Sequence, residues 1–398
     1  MSYQLSKFFG AVLLIAGCSI GASMIGLPIL SAKAGFIPSS LFFLLSWGYM
    51  FTTGLLLLEV NLWFKEDVGF VTMAGRTLGN FGRAIAWSLF LYLFYSLLVA
   101  YMAGSGALIS DFMEETTGQP FAPWIGSLST ALFFSLILYF GTAAVDNWNR
   151  FFMAGLGATF LLLIFVGAPH VKSENLLTFN LKAGWLAVPV MITSFGYHNL
   201  VPTVTRYLKH DVSQLKLAIG IGSALPLLIY LMWNGVMLGI VPFEGGFEEA
   251  LNHGEMATRA LREVVGNAFV VDLAEYFAFF AIITSLLSVA LSFIDFLSDG
   301  LHIKKSRKGK ALLVLLTLAP PYICATLYPK IFLLALRYAG AFGAVILFGM
   351  LPVAMVWQGR YLEKREDLQV VPGGRVILSL IFIASLLIVF FELWDGYL

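Results

Sequence analysis

Between Phe8 and Ala32 the chain carries no charged residue, and the same holds from Ala84 to Ser110 and from Leu217 to Phe243. A helix of about 20 apolar residues crosses a bilayer core about 30 Å thick, so each run is long enough to span one. One such run fits inside a soluble core; many in series do not. Of 398 residues, 59% are hydrophobic and 12% charged, with a mean hydropathy of +0.87. A soluble domain needs about a quarter of its residues charged. No stretch alternates in the manner of barrel strands. The first run is too long for a signal peptide and is followed from Ser39 by another apolar segment, so it is expected to stay as the first span. The chain is predicted to be an all-α integral membrane protein.

Charge-poor runs bounded by polar clusters predict eleven transmembrane helices, at 8–32, 36–62, 84–112, 122–143, 150–169, 185–206, 216–241, 271–299, 310–328, 331–357 and 374–393. No Pro- or Ser-rich linker divides them, so 1–398 is treated as a single transmembrane domain. The Gly-containing loop 65–82 predicts a short helix at the inner face, and 248–265 an amphipathic helix capping the outer side. A cytoplasmic N-terminus puts 17 of the 24 Lys and Arg inside, among them Lys65 and the run Lys304–Lys310, and leaves six outside: Lys33, Lys172, Lys182, Arg259, Arg262 and Lys330. That asymmetry is the positive-inside pattern. With an odd number of spans the tail, Glu392–Leu398, falls outside. A net charge of +1 argues against a nucleic-acid partner. Cys18 and Cys324 lie in apolar runs, which suits neither a disulfide framework nor a metal cluster.

The first span contains Gly17, Gly21, Gly26 and Pro28 with Ser19 and Ser23 among them. Glycine costs a helix about 1 kcal/mol per position and proline about 3. Backbone broken at membrane depth is tolerated only where it lines a cavity or is buried in protein. Gly17 and Gly21 also match the small-residue pattern of helix packing, which is the competing explanation. The sixth span carries a second polar, glycine-centred interruption, Thr193-Ser-Phe-Gly-Tyr-His-Asn-Leu-Val-Pro202. If span six opens a second set of five, that set crosses in the opposite sense, giving inverted repeats at about 8–169 and 185–357 plus an extra helix, 374–393. Paired interruptions in two inverted halves mark a transporter site near the midplane. Unpaired N–H groups there suit a carboxylate, and freed carbonyls suit an ammonium. Amino acids carry both.

Ile20-Gly-Ala-Ser-Met24 with Pro28, and Ser194-Phe-Gly-Tyr-His-Asn-Leu-Val-Pro202 with Arg206-Tyr207, resemble the hydroxy/aromatic amino acid permeases of the amino acid–polyamine–organocation superfamily. Leu58-Glu-Val-Asn-Leu62 and Phe293-Ile-Asp-Phe-Leu297 extend the resemblance over nearly the whole chain. The resemblance implies a LeuT-type five-plus-five fold and a proton-coupled importer of aromatic amino acids in a bacterial inner membrane. It is strongest to the tyrosine-transporting members, with the tryptophan-transporting ones next. It further implies that the carboxylate sits on the N–H groups of Gly21, Ala22 and Ser23, and that the ammonium meets carbonyls near Phe195 and Gly196. Ser23 departs from the family's usual Gly-x-Gly.

Ionisable groups inside spans are functional candidates by default. Glu59 has two readings, a partner for an inner Arg or Lys or a proton carrier. Asp295 has two as well, a proton acceptor or a buried anchor, and Asp299 is expected at the solvated interface. Arg337 is expected to snorkel outward. His198 suits a proton relay, or a hydrogen bond beside the substrate, and Asn199 helps hold the break open. Phe195 and Tyr197, which flank the break, and Tyr92, Tyr95 and Tyr101 are candidates to stack on an aromatic substrate. Ser285, Ser288 and Ser292 supply hydroxyls toward the first break, so sodium coupling stays open beside proton coupling. No other cofactor, metal or obligate protein partner is expected. A channel would need charge rings or filter carbonyls in series, and a membrane enzyme a catalytic motif; the spans show neither.

Overall fold

The computed structural model describes residues 2–64, 66–264, 268–365 and 368–395. Lys65, Val265 and the tail end 396–398, used above, lie outside the described residues. Helices account for nearly all of the chain, and no strand occurs among the described residues. Among the described residues, nine helices are long and apolar enough to cross a membrane. They are α3 (Phe36–Leu62), α4 (Phe70–Thr117), α5 (Pro123–Phe140), α6 (Thr142–Gly167), α9 (Val212–Ile240), α12 (Ala268–Gly300), α13 (Arg307–Leu327), α14 (Phe332–Leu362) and α15 (Gly374–Asp395). The first span is a bent pair, α1 (Ser2–Ser19) and α2 (Ser23–Ala32), turned by 57° at the break, which brings the count to ten. The predicted eleventh, the sixth in order, is divided into α7 (Val188–Ser194) and α8 (Val201–Tyr207), each too short to pass as a span alone.

Two local expectations change. The inner loop helix runs on into the third span as α4, and the chain turns between them at Gly79, whose φ of 72° favours glycine. The outer amphipathic segment is two short helices, α10 (Glu248–His253) and α11 (Ala257–Val264). Gly254 ends the first with φ 66°, and its position against the Lys330 backbone leaves little room for a side chain. Asp211 caps α9 by accepting from the Gln214 backbone N–H at 3.1 Å. That bond and the Gln214 side-chain bond hold the exposed Asp211 carboxyl below its usual range.

The broken elements sit at the centre of the bundle. α1 and α2 pack along α9, α7 packs against α3 and α14, and α12 lies along α6 with its other side toward α4. Every residue of α2 is buried. Gly26 makes this possible, because a Cβ there would press on Leu333 and Leu336 of α14.

Candidate functional site

Between the two breaks lies a cavity of about 390 Å³, within the range of small-molecule sites. The first break supplies its wall continuously from Gly17 to Ser23. The second supplies Thr193, Gly196, Asn199 and Leu200. α12 adds Ser285, Ser288 and Ser292, and the aromatic part of the wall is Phe90, Phe94, Tyr101 and Phe348. Leu13 and Leu14 of α1 line the cavity while 66% and 46% exposed, whereas α2 is buried throughout. The cavity therefore extends along α1 and stops at Ser23, the first residue of α2.

The backbone at the breaks is held by specific side chains. The Tyr230 hydroxyl of α9 sits on two freed carbonyls, Ser19 O of the first break and Ser194 O of the second, the latter at 3.1 Å. One turn on, Trp233 Nε1 donates to Met24 O at 2.7 Å. The Ala22 N–H donates to Ser285 Oγ at 2.9 Å. A Cβ on Gly21 would fall on that same oxygen, which is why the position is glycine. Ala22 thus has its amide occupied by a hydroxyl at the place where the resemblance puts a carboxylate. Across the cavity Gly196 O accepts the Cys18 thiol at 3.6 Å, a weak bond that leaves the carbonyl open to a better donor.

The structure brings together Gly17, Gly21, Ala22, Ser23, Gly196 and Asn199 in the lining of one cavity. It does not bring Phe195 and Tyr197 there. Both are fully buried behind it: Phe195 packs edge-on to Tyr230 with ring centres 5.4 Å apart, and the Tyr197 hydroxyl donates to Met50 O at 3.2 Å. The rings that flank a broken helix are drawn into the protein because the break exposes polar backbone, which suits the cavity, and leaves the apolar groups to fill the core. Pro28 lies within α2, beyond the cavity. Of the three candidate tyrosines on α4, Tyr101 lines the cavity, while Tyr95 donates to Leu316 O and Tyr92 to Tyr338 O.

The three candidate proton carriers have different surroundings. Glu59 is fully buried and takes both Arg360 Nε (2.7 Å) and Nη2 (2.6 Å), plus the Val370 N–H (2.7 Å). Arg360 also donates to Val371 O. Glu59 thus ties the C-terminal end of α3 to the end of α14 and the segment after it, away from the cavity. Asp295 is half exposed and bonded to Lys305 at 2.7 Å, so the buried-anchor reading does not hold. His198 lies behind the cavity wall: Nε2 is 2.9 Å from Thr53 Oγ1, the ring stacks on Phe348 at 4.8 Å, and Nδ1 is buried without a hydrogen-bond partner. Arg337 does not snorkel outward but pairs with the buried Glu392 at 3.1 Å. Sequence reasoning missed Tyr230 and Trp233. The signal was present, since Tyr230, Trp233 and Asn234 recur at helical spacing on one face of an otherwise apolar run.

Residues 4–391 match the Tryptophan/tyrosine permease family. The chain belongs to that family. It is 31% identical to the tyrosine-specific transport system 1 of Haemophilus influenzae over 99% of both chains, and 32% identical to that organism's tyrosine-specific transport system 2 over 99% of this chain and 98% of that one. A tryptophan-specific transport protein of Pseudomonas aeruginosa is 30% identical over 86% of this chain and 84% of its own. Among solved structures, MhsT in complex with L-phenylalanine superposes with a TM-score of 0.64 over 96% of this chain and 98% of that one, at 12% identity. The fold of this tryptophan/tyrosine permease family member is therefore the LeuT-type arrangement, and its class is that of transporters of aromatic amino acids rather than enzymes.

Proposed function

We propose that the protein imports aromatic amino acids, tyrosine foremost, across a bacterial inner membrane by alternating access coupled to protons. The observation that carries the transport site is the cavity between the two breaks. It offers the main-chain N–H groups of Gly21 and Ser23 on one side, the Gly196 carbonyl on the other, and the rings of Phe90, Phe94 and Phe348 beside them, while the Ala22 N–H is held by Ser285. A zwitterion with an aromatic side chain matches all three surfaces. The printed names of the relatives, tyrosine-specific and tryptophan-specific, support the substrate class.

In this reading the inverted repeats are about 8–169 and 185–357, the N-terminus is cytoplasmic and the C-terminus periplasmic. The cavity then faces the cell interior. His198 is the proton-responsive group, supported by its buried, unbonded Nδ1 next to the second break, whereas Glu59 and Asp295 are each engaged with a cation. Protonation of Nδ1 places a charge behind Phe348 and alters the packing of the break. Purified protein in liposomes is expected to accumulate tyrosine when the outside is acidified, to stop when a protonophore is added, and to be indifferent to replacing sodium with choline. A sodium requirement would remove the proton claim. Competition by tryptophan over tyrosine, or uptake of serine alone, would reassign the substrate. His198→Gln is expected to retain tyrosine exchange and lose acid-driven accumulation.

A further inference from the structure

Lysine and arginine are scarce on the side assigned to the outside, yet two of those six residues, Lys33 and Lys182, meet Arg337 at a single cavity of about 640 Å³. None of its lining residues is shared with the transport cavity. Among the described residues one carboxylate, Glu392, lines the cavity with the three cations, and it pairs with Arg337. Lys33 and Lys182 thus bring two exposed positive charges to the cavity wall. Lys33 caps the C-terminal end of α2, and Lys182 lies in the turn of 3-10 helix that leads into α7, so the two exposed amines come from different chain segments to one place.

The surroundings are those of a membrane interface. Trp185 and Trp394 line the cavity, Trp185 stacking on Phe391 with centres 4.9 Å apart. Aromatic residues of this kind gather where head groups meet hydrocarbon. On α15, which gives Ile388, Phe391 and Trp394 to the cavity, Leu387 and Phe390 are 43% and 54% exposed. Cations, indole rings and an exposed hydrocarbon surface match the parts of a lipid molecule.

We propose that this cavity binds the head group of an anionic phospholipid, its phosphate between Lys33, Lys182 and Arg337 and its acyl chains along α15. A zwitterionic head group brings its own ammonium to a pocket already rich in cations, so the site discriminates by net charge. Each basic side chain adds to the attraction of an anionic head group. Removing two lysines is then expected to weaken binding about tenfold or more.

The test is a titration of detergent-purified protein with phosphatidylglycerol or phosphatidylcholine, read as the thermal midpoint of unfolding and as lipid retained in native mass spectrometry. Phosphatidylglycerol is expected to raise the midpoint of the wild type and phosphatidylcholine to leave it. Lys33→Gln/Lys182→Gln shifts the phosphatidylglycerol response to about tenfold higher concentration, whereas the equally charged Lys304→Gln/Lys308→Gln responds as wild type. A wild-type response in the first variant, or no preferential retention of phosphatidylglycerol by the wild type, overturns the proposal. So does an equal shift with inorganic phosphate, which would mark a free-anion site, or a tyrosine response lost in the same variant, which would mark an outer stop on the substrate path. Should the glutamine variant not fold, Lys33→Arg/Lys182→Arg retains the charge and must retain the response.

Discussion

The two breaks face the same cavity with opposite materials. From Gly17 to Ser23 the first is made of small residues and turns its main chain toward the cavity. From Phe195 to Asn199 the second is made, Gly196 apart, of larger ones, and it hides most of them: Phe195 against Tyr230, Tyr197 against Met50 O, His198 against Thr53 and Phe348. A broken helix must satisfy its freed backbone groups and also hold its own position. The first break meets the second need through neighbours, with Ser285 and Tyr230 reaching in from α12 and α9. The second does so with its own side chains. The first is thus suited to recognition, and the second to anchoring a movable element.

Gly21→Val should have the largest effect, because its side chain lands on Ser285 Oγ and fills the space beside the Ala22 amide. Uptake is expected to fall about 100-fold or more, to background, since displacing a substrate by about 1 Å already has such an effect. Gly196→Ala should lose less, because a single methyl is added; its Cβ meets the Thr193 carbonyl oxygen at 2.8 Å, which the break must shift to relieve, and otherwise faces Phe348 at 3.8 Å. The reverse order of severity would break the contrast between the two. Tyr230→Phe comes next. It strips the hydroxyl from Ser19 O and Ser194 O together, at about 1–3 kcal/mol for buried groups left unpaired. A lower thermal midpoint together with a lower maximal rate is expected; a change in KM alone would mean that Tyr230 touches substrate instead.

The positions of the breaks were legible because glycine and proline punctuate a helix locally, and nothing remote is needed to see Gly17, Gly21 and Gly196 as interruptions. The ion pairs were not. Glu59 and Arg360 are separated by 301 positions, and each alone reads as a charge at the end of a span. The same limit applied to the aromatic residues. Adjacency to a break put Phe195 and Tyr197 among the substrate contacts, but which way a ring points depends on partners such as Tyr230 and Met50 that sequence does not place beside them. Phe348, which does line the cavity, lies in an apolar stretch with no polar neighbour to single it out.

Substitutions of wall and hidden rings should separate these roles. Phe348→Leu keeps the volume roughly filled but removes a ring that faces the cavity and stacks on His198. Aromatic pairs contribute about 0.5–1.5 kcal/mol beyond simple burial, so KM for an aromatic substrate is expected to rise about two- to tenfold.

Tyr197→Phe is the smallest change and the sharpest control. The ring stays in its slot against Gly54, where a Cβ would strike the Tyr197 hydroxyl, so packing is preserved or eased. What goes is one bond to Met50 O, a carbonyl that still accepts from Thr53 Oγ1 at 3.2 Å. Because the acceptor keeps a partner, the cost falls toward the low end of about 0.5–1.5 kcal/mol. Tyr197 reaches no part of the cavity, so KM should stay at the wild-type value while the thermal midpoint drops slightly. A clear rise in KM with an unchanged midpoint would move Tyr197 from the anchoring side to the recognising side, and with it the division of labour between the two breaks would fail.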